Sequence, residues 1–118
     1  MVYHGILLDA SFEGIFLKSF KILGRKRSET NPWIMSKVEV RDEDIEKVIE
    51  TCKDNLMDGP YYCHFYKYGE IIVVFKKRVF RITQDKSSWK PVIEYGLSIG
   101  IPLEQLDIKP NKFEDETY

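Results

Sequence analysis

The sequence predicts an α+β fold, a mostly antiparallel sheet of about five strands that carries two main helices in the order ββαβββα. Two observations lead to this prediction. Residues 61–83 contain three short apolar and aromatic runs separated by turn residues. Two stretches, 43–58 and 89–98, repeat apolar residues at helical spacing. A ferredoxin-like sandwich is a neighbouring alternative, but three consecutive strands after the first helix do not match it.

Composition limits the protein to one ordinary globular domain. The 118 residues are 43% hydrophobic and 31% charged, with a net charge of −1, which gives no overall attraction to nucleic acid or anionic membrane. The two cysteines lack the spacing of a metal site or a disulfide framework. No signal peptide or membrane-spanning stretch is present in the sequence. We therefore expect a cytoplasmic domain over residues 1–118 with no cofactor and no membrane partner, and a frayed acidic tail at 113–118.

The first part of the chain predicts two strands separated by an ambiguous segment and a loop. Residues 5–12 and 33–40 read as strands. The apolar residues of 15–23 fit either a short helix or an irregular strand, and their period does not decide between them. Residues 24–32 are polar, basic and bounded by glycine and proline, which predicts a loop.

Two helices follow from their caps and apolar stripes. Asp42 can cap the helix at 43–58, and Gly59 is a suitable left-handed stop. Ser87 or Ser88 can cap the helix at 89–98, which should end before Gly100.

Turn length decides which side chains of residues 61–83 share a face of the sheet. Two-residue turns at 68–69 and 76–77 predict one face that carries Tyr62, His64, Tyr66, Ile71, Val73, Phe75, Phe80 and Ile82. The other face then carries Tyr61, Cys63, Phe65, Ile72, Val74, Val79 and Arg81. A three-residue first turn with a bulge would instead move Tyr62, His64 and Tyr66 to this second group. Neither face shows the polar alternation of a solvated sheet.

This surplus of apolar surface leads to the first functional expectation. If both helices cover one face, the other must meet residues 15–23, a second copy of the chain or a ligand. We expect a non-enzymatic binding or assembly domain that forms a homodimer. The interface residues would be Tyr61, Phe65, Ile72, Val74 and Val79. In the simpler alternative, residues 15–23 and the C-terminal stretch cover this face.

A second hypothesis is an RNA- or nucleotide-binding domain. Arg25, Lys26 and Arg27 would hold phosphates, and Tyr62 and Tyr66 would stack on bases. A small-molecule ligand could use the same surface. The sequence lacks a phosphate-binding glycine loop and an RNA-recognition signature, so a solvated basic loop is the favoured interpretation.

A third hypothesis is a small enzyme with His64 in a pocket floored by tyrosines. Adjacent Cys63 suggests a nucleophile and base, but neighbouring strand residues point to opposite faces. His4 and Asp9 add no recognisable metal-ligand spacing. We therefore assign no catalytic and no metal-binding residue.

The chain also resembles small prokaryotic proteins of unknown function. The resemblance rests on runs over most of the chain: Asn31-Pro32-Trp33, Gly59 to Tyr66, Ile72 to Lys76, Val79 to Thr83, Asp85 to Trp89, Tyr95-Gly96 and Gly100 to Asp107. It implies a free-standing cytoplasmic domain and carries no activity or site residues.

Overall fold

The α+β fold is confirmed, with one strand more than expected. The computed structural model describes residues 2–8, 20–27, 34–57, 59, 61–67, 69–83 and 85–101. Its strands are β1 (Val2–Leu8), β2 (Lys21–Arg27), β3 (Ile34–Arg41), β4 (Tyr62–Lys67), β5 (Glu70–Phe75) and β6 (Val79–Thr83). Its helices are α1 (Ile45–Asn55) and α2 (Lys90–Ser98), each preceded by a 3-10 turn, at Asp42–Asp44 and Lys86–Trp89.

All six strands form one antiparallel sheet in the order β2-β3-β1-β4-β5-β6. The additional strand is β2, so the loop prediction is wrong for residues 24–27. This strand escapes the periodicity analysis because it lies at the sheet edge, where only Ile22 packs against the core, and because its register shifts between Ile22 and Gly24. The rest of the predicted loop, residues 15–19 and the acidic tail at 113–118 lie outside the described residues.

The helix ends differ from the predicted ones in their caps. The side chain of Asp85, and not that of Ser87 or Ser88, caps the 3-10 turn by accepting from the Ser87 N–H at 3.0 Å. Gly100 has a φ of 96° directly after α2, as predicted for a left-handed stop. Helix α1 ends at Asn55, earlier than predicted.

The predicted register of β4, β5 and β6 is confirmed, because both connecting turns contain two residues. Tyr66 lies opposite Ile71, and Ile71 lies opposite Ile82. The Phe75 N–H donates to the Arg78 carbonyl oxygen at 2.8 Å, which closes the second turn. The two sets of side chains therefore occupy the predicted faces.

The two helices lie on opposite faces of the sheet, so the premise that both cover one face is wrong. Ile49 and Cys52 of α1 pack against Phe65 and its neighbours, and we call this side the α1 face. Val92 of α2 packs against Phe75 on the other side, the α2 face. One helix on each face explains why neither face needs polar alternation.

Candidate functional site

The residues predicted to form a dimer interface lie beneath α1. Phe65, Ile72 and Val74 are 0%, 2% and 0% exposed, and they belong to the core between α1 and the sheet. Tyr61 and Val79 are partly buried at the margin of the same core. These side chains are therefore used inside the chain, and a second copy could not contact the three central ones while α1 is in place.

The aromatic residues of β4 form a stack on the α2 face. The His64 ring lies 6.5 Å from the Tyr62 ring and 5.9 Å from the Tyr66 ring, measured between centroids. The His4 ring, on the neighbouring strand β1, meets the Tyr66 ring edge-on, with 6.2 Å between the two ring centroids. Burial among these rings penalises the charged imidazolium and lowers the pKa of His64 to about 4. His64 is consequently neutral at pH 7.

This stack has the properties of a packing contact. A general base works best with a pKa near the operating pH, and that of His64 lies well below it. Cys63 lies on the α1 face in the same buried cluster as Cys52, whereas His64 lies on the α2 face with Tyr62 and Tyr66. Within the described ranges, no group of three His, Cys, Asp or Glu side chains could hold a metal ion.

The basic residues predicted to bind RNA are separated from the tyrosines. Arg25 lies opposite Ser36 and therefore on the α1 face, whereas Lys26 lies opposite Met35 on the α2 face with the β4 rings. Strands β2 and β4 are three strand spacings apart, which is about 14 Å. Tyr66 is also 1% exposed. The structure thus does not combine these cations and rings in one surface.

The edge strand β2 carries a concentration of exposed basic side chains. Arg25, Lys26 and Arg27 are all exposed. Among the described strands, only β3 pairs with β2. Leu23 of β2 and Ile34 of the neighbouring strand β3 are large apolar side chains that are 38% and 37% exposed. The predicted loop at 24–32 hid this edge strand, although a glycine such as Gly24 inside a strand often marks a bulge.

A second polar group, also missed in the sequence, closes one end of the α1 face. The Lys67 Nζ lies 3.2 Å from an Asp42 carboxylate oxygen and 3.5 Å from that of Glu70. The Tyr3 hydroxyl donates to Glu70 at 3.2 Å, and the Lys67 ammonium lies 4.6 Å from the Tyr3 ring centroid. Burial and the nearby Glu70 carboxylate raise the pKa of Tyr3. These ion pairs and hydrogen bonds join β1, β4, β5 and the 3-10 turn that precedes α1.

An open cleft of about 620 Å³ lies between α1 and the β2–β3 edge. Its volume is within the range of small-molecule sites. Four of its five charged side chains form ion pairs, Lys21 with Glu39 at 3.0 Å and Arg41 with Asp44 at 3.3 Å, and Lys47 is the fifth. One cation beyond these pairs points to no particular ligand.

Comparisons with protein-family models, with curated proteins and with solved structures found no match. In the part of the chain that the structure describes, neither helix is both long and apolar enough to cross a membrane. The chain's own geometry is therefore the basis for a functional proposal.

Proposed function

We propose that this chain is a non-enzymatic binding domain that adds an extended acidic segment of a partner protein to its edge strand β2. One observation carries the proposal: β2 contains Lys21, Arg25, Lys26 and Arg27 within seven residues, at an edge where β3 is its one partner among the described strands.

Strand addition uses the backbone as well as the charges. Every second residue of an edge strand directs its N–H and C=O away from the sheet, where an extended segment can pair with them. Arg25 and Arg27 are two residues apart on one face, which matches the spacing of alternate side chains in an added strand. Acidic residues at alternate positions would therefore lie directly opposite the two guanidinium groups. The exposed Leu23 and Ile34 favour a partner that also carries apolar residues.

A second copy of this chain fits the same edge poorly. Antiparallel pairing of two β2 strands would place basic residues opposite basic residues, and like charges in cross-strand pairs are destabilising. The charges that favour an acidic strand thus also oppose self-association. The homodimer expected from the sequence would need another surface.

RNA fits this edge less well than an acidic peptide. Single-stranded RNA binding combines cations with aromatic rings on which bases stack. The β4 tyrosines lie three strands away from β2, and Tyr66 is buried.

Reversing the charge of the edge should remove peptide binding. The probe is a fluorescein-labelled peptide of alternating glutamate and valine, and its affinity is measured by fluorescence anisotropy at low salt. We expect the double variant Arg25→Glu, Arg27→Glu to bind at least about tenfold more weakly, because each reversal changes a favourable cross-strand pair of roughly 1 kcal/mol into a repulsive one.

Two controls separate strand addition from general electrostatics. The double variant Lys77→Glu, Lys90→Glu changes the net charge equally at exposed positions away from β2 and should keep its affinity. A probe with proline at a central position should bind weakly, because proline cannot donate to the ladder. Equal weakening in both double variants, or no binding of the probe to the native chain, would overturn the proposal. Binding of oligouridylate but not of the peptide would overturn it in favour of RNA.

A further inference from the structure

The two cysteines of the chain meet in the core beneath α1. Cys52 lies in the last turn of α1 and Cys63 in β4, and they are 0% and 1% exposed. Both are free thiols in the same cluster of buried side chains, and the nearby Cys52 thiol contributes, after burial, to the raised pKa of the Cys63 thiol. The proposed peptide site on β2 uses neither of them.

We propose that Cys52 and Cys63 are a redox modification site at which a peroxide closes an intramolecular disulfide between α1 and β4. Both side chains belong to one buried cluster beneath α1, so the helix and the strand already hold the two thiols in the same part of the core, as disulfide closure needs. The bond would join α1 directly to β4.

The reaction balances with one peroxide for each disulfide. The Cys52 sulfur attacks one peroxide oxygen, the O–O bond breaks, and the leaving hydroxide takes the proton of the Cys52 thiol, so that a sulfenic acid and one water result. The Cys63 sulfur then attacks the sulfenic sulfur, the S–S bond forms, and the hydroxyl group leaves as a second water after it receives the Cys63 proton. Two sulfur atoms are oxidised by one electron each, and the peroxide is reduced by two. Cys52 is the attacking thiol in this order because it lies in the last turn of α1, the end of the helix at which opening would admit peroxide.

The end of α1 controls access to the pair. The Leu56 N–H donates to the Cys52 carbonyl oxygen at 2.9 Å, and the Lys76 ammonium donates to the Leu56 carbonyl oxygen. Met57, directly after these contacts, is 37% exposed. Helix ends open more readily than helix centres. Opening of this last turn is therefore the step that admits peroxide, and Lys76 is the side chain that restrains it.

Intact-mass spectrometry of the native protein tests the proposal. After treatment with hydrogen peroxide, we expect a monomer that has lost the mass of two hydrogen atoms and has no thiol that reacts with iodoacetamide in denaturant. Dithiothreitol should restore both thiols. The single variants Cys52→Ser and Cys63→Ser should show no such loss of mass.

A matched pair of lysine variants tests the route of access. The disulfide should form about fivefold faster in the Lys76→Met variant. This variant lacks the hydrogen bond from the charged Lys76 ammonium to the Leu56 carbonyl oxygen, which restrains the end of α1. The neighbouring variant Lys77→Met should react at the native rate, since Lys77 is exposed at the same turn. Two free thiols after treatment, irreversible oxygen addition or a disulfide-linked dimer would overturn the proposal. Equal rates in the two variants would overturn the role of Lys76.

Discussion

Replacing Gly5 with valine should destabilise the protein by about 3 kcal/mol, the largest effect we expect from one substitution. Gly5 lies in the central strand β1 opposite Phe65 of β4. A Cβ atom at this position would lie 2.4 Å from Cδ1 and 2.5 Å from Cε1 of the Phe65 ring, and 3.2 Å from a methyl group of Val38. The ring cannot yield easily, because Phe65 is fully buried beneath α1. Urea unfolding measures the loss.

A double-mutant cycle assigns this cost to the ring. Gly5→Ala should destabilise the native chain, but it should destabilise a Phe65→Leu background less, because the smaller side chain leaves room for the new methyl group. Gly69→Ala measures the cost of losing the backbone freedom of a glycine where there is no crowding. Gly69 has a φ of 79°, and nothing lies within 4 Å of a Cβ added to it. Additive losses in the cycle, or a Gly5→Val variant as stable as the native chain, would contradict this account.

Acidification should destabilise the protein through His64. The pKa of His64 is about 4 in the folded chain, against an ordinary value of 6.5, because burial penalises the imidazolium. At about 1.4 kcal/mol per pKa unit, this difference corresponds to about 3 kcal/mol of stability. Because the folded pKa is the lower one, the contribution is complete above pH 6.5. It is lost as the pH falls from 6.5 towards 4, where the unfolded chain binds a proton that the folded chain does not.

The difference between the free energies of unfolding at pH 7 and at pH 5 measures this effect. Most carboxylates titrate below pH 5, so they contribute little to the difference. The native chain should lose about 2 kcal/mol over this interval. A His64→Phe variant keeps an aromatic ring between Tyr62 and Tyr66 but cannot take up a proton, so its stability should change little. NMR titration of His64 gives the folded pKa directly. A midpoint near 6.5, or the same loss in the phenylalanine variant, would show that burial does not keep this ring neutral.

Much of the local structure of this chain follows from short-range patterns. The turn Lys76-Lys77 and the glycine at position 69 give two-residue connections, and a period of two then assigns every side chain from Tyr62 to Ile82 to a face. The positive φ at Gly100 and the apolar stripes likewise place both helices. These features depend on backbone dihedral preferences and on spacing along the chain, which a sequence displays directly.

The features that define the candidate sites depend on contacts between residues distant in the chain. An apolar stripe shows that a helix packs on a sheet, but not on which face, so Phe65 and Ile72 could not be placed beneath α1 in advance. The edge position of Arg25 and the shared core cluster of Cys52 and Cys63 arise in the same way. Periodicity is a local property, whereas strand order and helix placement are selected by the burial summed over the whole fold.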